Sequence, residues 1–141
     1  MTKKETLQVL AILKAAYPSS YNGMTREEAS GTLGVWYMHF SCVPADIVMM
    51  AVQKLIGSHK FPPTVAEVKD ALGSIHWEAY ETLTSESVRG FLPERAKEQY
   101  RRILDATKDY KDKDGREPSV AQMLTCDQVA RIGVSEHEKL A

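Results

Sequence analysis

The side chains able to do covalent or acid–base chemistry are few and scattered. Cysteines stand at Cys42 and Cys126, and histidines at His39, His59, His76 and His137. The cysteines form no CxxC pair, and the histidines lack the i,i+4 spacing that would put two ligands on one helical face. A histidine base beside either thiol would have to be assembled by the fold, so free thiols and isolated surface or interface histidines are expected. A P-loop, GxGxxG, GxSxG, HExxH and EF-hand pattern are all missing from the sequence. The nineteen acidic residues read as solvated helix surface. No catalytic residue, metal site or cofactor is expected.

What is left is chemistry of contact. Trp36 and Phe40 lie one helical turn apart on an apolar stripe, which makes them core residues. Tyr37 falls off that stripe and is a candidate exposed contact. Lys54, His59, Lys60 and Lys69 could meet phosphates, yet residues 1–72 carry seven basic and six acidic side chains, an almost balanced set. The whole chain has 18 basic and 19 acidic residues and a net charge of -1. A protein that holds nucleic acid through phosphates needs a basic face, so direct nucleic-acid binding is disfavoured.

The elements that would position these contacts are helices. With 141 residues, 43% hydrophobic and 26% charged, the chain can bury a core, and the periodicity predicts an all-α protein. Thr2 with Glu5 makes a capping box that opens a helix to Tyr17, with Val9, Ile12, Leu13, Ala16 and Tyr17 on its apolar face. Pro18 ends it, and Ser19 to Gly23 reads as a loop. Thr25 with Glu28 opens a second helix whose Ala29, Leu33, Trp36 and Phe40 share one side. Gly31 and Gly34 weaken it by about 1 kcal/mol each, so that side should be well buried. Pro44 starts a third, with Ile47, Val48, Ala51, Val52, Leu55 and Ile56 as a broad buried face. After Phe61-Pro62-Pro63, Thr64 with Glu67 caps a fourth helix through about Leu72.

Beyond Gly73 the composition shifts. Ser74 to Leu83 continues the helical pattern, and Thr84 to Ser87 with Gly90 reads as a break. Pro93 begins a charged helix to about Tyr110; residues 94–117 hold eight basic and seven acidic side chains, while Ala96, Tyr100, Ile103, Thr107 and Tyr110 form a narrow docking seam. Lys111 to Glu117 reads as a linker, and two short helices follow Pro118. The expected architecture is therefore a small N-terminal bundle of about four helices, a charged helix, and short C-terminal helices. The expected divisions are 1–73, a helical domain; 74–117, a charged extension and linker; and 118–141, a partner-binding segment. No run is long and apolar enough to span a membrane and no targeting segment is visible, so a cytoplasmic protein is expected.

Several segments together resemble a known family: Met-Thr-Lys-Lys-Glu opening a helix that ends in Ala16-Tyr17-Pro18, then Val35-Trp36-Tyr37, then Val48 to Ile56, then Ser58 to Val68 with its Lys-Phe-Pro-Pro-Thr core. Over about residues 1–72 the chain is similar to the phage-encoded replicative helicase loader and inhibitor proteins of Gram-positive hosts. The resemblance implies a helical N-terminal domain without enzymatic activity. It also implies a C-terminal part that contacts a hexameric, DnaB-like replicative helicase, holds it inactive in solution and delivers it to an origin-binding initiator in the bacterial host cell. By position, the contact would fall on Val129, Arg131, Ile132, Val134 and Leu140. Val129 and Ile132 have the spacing of anchors for helix-in-groove recognition, and docking back on the chain's own domain is the competing role.

Two other functions fit the same sequence. One is a stoichiometric phage inhibitor of another host machine, such as a CRISPR nuclease, with the helical domain as scaffold. The other is a small DNA-binding regulator reading bases with Pro44 to Ile56, which offers Gln53 and Lys54 and otherwise mostly apolar side chains.

Overall fold

Three capping boxes set where the main N-terminal helices start. A computed structural model of the protein describes residues 1–112. In it Thr2 Oγ1 accepts the Glu5 amide while the Glu5 carboxylate accepts the Thr2 amide, which opens α1, Lys3–Ala16. The same reciprocal pair between Thr25 and Glu28 opens α3, Arg26–Phe40. Thr64 and Glu67 form the third pair, ahead of α5, Val65–Arg89. Each box satisfies two of the amides that a helix start leaves without an intrahelical acceptor. Between α3 and α5, α4 covers Ala45–Ile56 behind Pro44. The charged helix, α6, is Glu94–Thr107 and tightens into a 3₁₀ turn at Lys108–Tyr110. The described residues contain helices and no strand, as the periodicity predicts.

The expected loop after Pro18 is instead a single helical turn, α2, Pro18–Tyr21. Proline needs no amide partner at a first helical position, so it starts this turn as well as ending α1. The helix begun at Thr64 does not stop near Leu72 either; it runs through Gly73 and through the Thr84–Ser87 stretch to Arg89. It ends where Gly90 takes a φ of +67°, a left-handed conformation costly for residues with a Cβ. Burial explains the persistence: Ile75, Trp77, Ala79, Tyr80 and Leu83 are all buried, and helices are held more by such packing than by propensity.

The described chain divides into two compact units, the first Met1–Leu72 and the second beginning at Gly73. In the first, α1 packs against α2, α3 and α4. Its core holds Val9, Leu13, Trp36, Phe40, Ile47, Val48, Val52 and Val68, of which Leu13, Phe40, Ile47, Val48 and Val52 are fully sealed from water. Burying a side chain of this size contributes about 1.5–3 kcal/mol. Trp36 and Phe40 meet at 5.5 Å between ring centres, in the core role their spacing predicts. α4 supplies Ile47, Val48, Ala51, Val52 and Leu55, again as expected.

Two apolar faces differ from expectation. On α1 the buried set is Thr6, Val9 and Leu13, whereas Ile12 and Ala16 point outward. Residues 6, 9 and 13 follow the three-four spacing, and position 12 is one residue, about 100°, off that line. Thr6 is tolerated in the core because its hydroxyl donates to the Thr2 carbonyl at 2.8 Å. On α3 only Trp36 and Phe40 are buried; Leu33 is half-buried and Ala29 exposed, so the start of this helix stands clear of the core.

In the second unit Ile103, Leu104 and Thr107 of α6 are buried. Thr107 Oγ1 donates to the Ile103 carbonyl at 2.6 Å and lies 3.1 Å from His76 Nδ1. The hydroxyl has one proton; once that goes to Ile103, it can only accept from an Nδ1–H. His76 is 3% exposed, a buried polar anchor and not the surface histidine the sequence suggests. Beside it Trp77 packs edge-on to His76 and to Tyr80, and its indole N–H donates to the Lys111 carbonyl at 2.6 Å. Among the described residues no single helix is long and apolar enough to cross a membrane.

Candidate partner-binding surfaces

The segment after α4 is built to hold one aromatic ring out in water. Pro62 and Pro63 remove two backbone donors and keep the chain extended, with Pro63 buried and Pro62 half-buried. Glu67 closes the segment from the other side. Its Oε1 accepts from both the amide and the hydroxyl of Thr64, and its Oε2 lies 2.8 Å from His59 Nε2. The Tyr17 hydroxyl donates to the His59 carbonyl at 2.8 Å, which ties the segment back to the end of α1. Phe61 is left 72% exposed, with the Lys60 ammonium 5.9 Å from its ring centre. Aromatic rings of this kind contribute strongly to protein interfaces when they become buried.

A second surface lies on α3. Val35 and Met38 are 45% and 68% exposed and continue the line of Glu28 and Gly31 at helical spacing. Glu28, Gly31, Thr32, Val35 and Trp36 border a shallow depression there. Tyr37, the contact candidate chosen from the sequence, is half-buried with the Lys3 ammonium 5.6 Å from its ring centre. Lys3 therefore already occupies one face of it. Nearby, the Met1 ammonium donates to the carbonyls of Ser41 at 2.8 Å and Val43 at 2.9 Å, a positive group at the negative end of α3.

The remaining candidates divide by location. Val129, Arg131, Ile132, Val134 and Leu140 lie outside the described residues, as do Cys126, His137 and the helices expected after Pro118. Of the four groups considered as phosphate contacts, His59 is engaged with Glu67, Lys60 sits over Phe61, Lys54 is exposed and Lys69 half-buried. α4 buries its apolar residues and exposes Gln53 and Lys54 near its end, a sparse set for reading bases in a groove. Cys42 is an exposed free thiol, and Met50 is 43% exposed. Among the described residues no group of three or more His, Cys, Asp or Glu is placed to hold a metal. Phe61, Val35 and Met38 were not singled out by sequence. Phe61 and Val35 sit in segments read for the family resemblance and, at Phe61, for the prolines, not for exposure, and Met38 is an apolar residue off the Trp36–Phe40 stripe.

Two ionisations are displaced in this unit. The Thr2 backbone amide, and then its side chain, hold the Glu5 carboxyl below its ordinary range. Burial, and secondarily Tyr17, push the Tyr21 phenol above its ordinary value. Both follow from local packing, and neither residue faces a base or nucleophile in the bonds described above.

No curated protein sequence and no solved structure matches the chain. A family model does: that of the N-terminal domain of the phage helicase loader/inhibitor gp39, over residues 1–69. The matched stretch contains all three capping boxes, the buried α4 and the Phe61 segment, and it ends three residues before the first compact unit does. Residues 1–69 are thus similar to the gp39 N-terminal domain, in the phage helicase loader and inhibitor family that the sequence resembles.

Proposed function

We propose that the protein is a non-enzymatic phage or prophage protein that binds a hexameric DnaB-like replicative helicase, keeps it inactive in solution and helps deliver it to an origin. The family match over residues 1–69 carries this reading. The exposed Phe61 and the α3 surface support it by offering contacts for a protein. In this reading the protein acts in the cytoplasm of the bacterial host. Residues 1–73 are a helical domain and 74–117 a charged helical extension and linker. Residues 118–141 carry the helicase contact through Val129, Arg131, Ile132, Val134 and Leu140. An origin-binding initiator is the second partner, and nucleic acid is not contacted directly. Co-elution with a DnaB-type helicase, with and without ATP, tests the reading. A complex on size-exclusion chromatography supports it. Separate elution in both nucleotide states removes it and favours inhibition of another host machine.

A further inference from the structure

The described residues leave much of α3 uncovered. Residues 26–31 are all exposed, and only Trp36 and Phe40 of this helix are buried. Gly31 and Gly34 each cost about 1 kcal/mol of helix propensity relative to Ala. Nothing nearby demands glycine at either position, since an added Cβ would meet no atom within 4 Å. What the bare backbone at Gly31 does leave is the shallow depression on α3, and its border has a definite pattern. Glu28, Gly31, Thr32 and Val35 stand at i, i+3, i+4 and i+7, with Trp36 beside them. Four residues at that spacing are the hole that receives one knob from a facing helix. The knobs stand on the same face, where Val35 is 45% and Met38 68% exposed.

We infer that α3 pairs antiparallel with α3 of a second copy of the chain. A two-fold interface uses one patch twice, so that patch must carry both knob and hole, and α3 carries them one turn apart. With Val35 of each copy seated over Gly31 of the other, Met38 faces Glu28 and His39 faces Glu27. The charges agree with this register. The first turn of α3 carries Glu27 and Glu28 and its last turn His39, with the Lys3 ammonium 5.6 Å from the Tyr37 ring close by. Glu28 is engaged in the capping box and the Met1 ammonium with the Ser41 and Val43 carbonyls. The complementarity therefore rests on Glu27 of each copy against His39 and Lys3 of the other, and on helix dipoles set head to tail. Arg26 lies on the opposite side of α3 from Gly31 and Val35 at 100° per residue. A parallel pair would stack Glu27 on Glu27 and align like dipole ends. All of these residues lie in the first compact unit, and none is in the segment assigned to the helicase contact.

Sedimentation equilibrium of the full chain over a concentration series tests the pairing without any helicase, so its outcome is separate from the helicase reading. A reversible monomer–dimer equilibrium is expected. Gly31→Leu fills the hole and should weaken the dimer by roughly tenfold or more. Leucine is the better helix former, so unchanged or higher helix content by circular dichroism shows that this loss is not unfolding. Glu27→Lys and His39→Glu should each weaken the dimer at least threefold, and an equimolar mixture of the two should regain it. That pattern requires the antiparallel register, because in a parallel pair Glu27→Lys would leave the dimer no weaker. A monomer at every concentration overturns the inference and leaves this face to a different protein. A dimer unaffected by Gly31→Leu, or charge variants that do not recover on mixing, overturns it too.

Discussion

Leu13 and Phe40 are completely closed to solvent, whereas Phe61 is mostly in water, and the same substitution should separate them sharply. Truncating a sealed core side chain removes its transfer energy and leaves a cavity, so Leu13→Ala or Phe40→Ala should cost about 2–5 kcal/mol in urea denaturation. Phe61→Ala should change stability by about 0.5 kcal/mol or less. The displaced ionisations have definite signs. Because the folded Glu5 carboxyl lies below its ordinary range, it contributes stability above the unfolded value, and that is lost as pH falls through the folded one. Glu5→Gln should flatten this part of an acid denaturation profile. For Tyr21, whose folded value is raised above 10.0, the contribution is present below that pH and is lost as pH rises through the raised value. Core aromatics were legible at this scale because Trp36 and Phe40 share a stripe. Buried His76 was not, since its partner Thr107 is 31 positions away.

Helix starts were written in the sequence; helix ends and faces were less so. A capping box is a local signal, spelled within four residues, and all three predicted boxes form. Thr25→Ala should cost about 1 kcal/mol, read as a lower denaturation midpoint. The continuation of α5 through Gly73 and the Thr84–Ser87 stretch depends on burial that only the assembled unit supplies. Glycines give the reverse test. A Cβ at Gly31 or Gly34 would meet nothing within 4 Å, and neither has a left-handed backbone, so Gly31→Ala and Gly34→Ala should each stabilise by about 1 kcal/mol. Gly90→Ala should destabilise by about 1 kcal/mol, because it forces a side chain into the left-handed conformation that ends α5. A thermal melt of each variant checks the opposite signs.

Across the whole molecule, sequence reading placed the helical bundle of the first half and its family. The exposed aromatics escaped it, because exposure of Phe61 and Phe91 depends on which neighbours the fold brings near. The first compact unit and the matched family domain nearly coincide, so the domain's stability should not depend on the C-terminal segment. A chain ended at Pro118 is expected to keep the helix content of residues 1–112 by circular dichroism. The most direct measurement is strand unwinding by a DnaB-type hexameric helicase titrated with the full chain and with the chain ended at Pro118. The full chain is expected to suppress unwinding at near-stoichiometric ratios, and the shortened chain is expected to leave it unchanged. Full unwinding at saturating full-length protein, or equal suppression by the shortened chain, would contradict it.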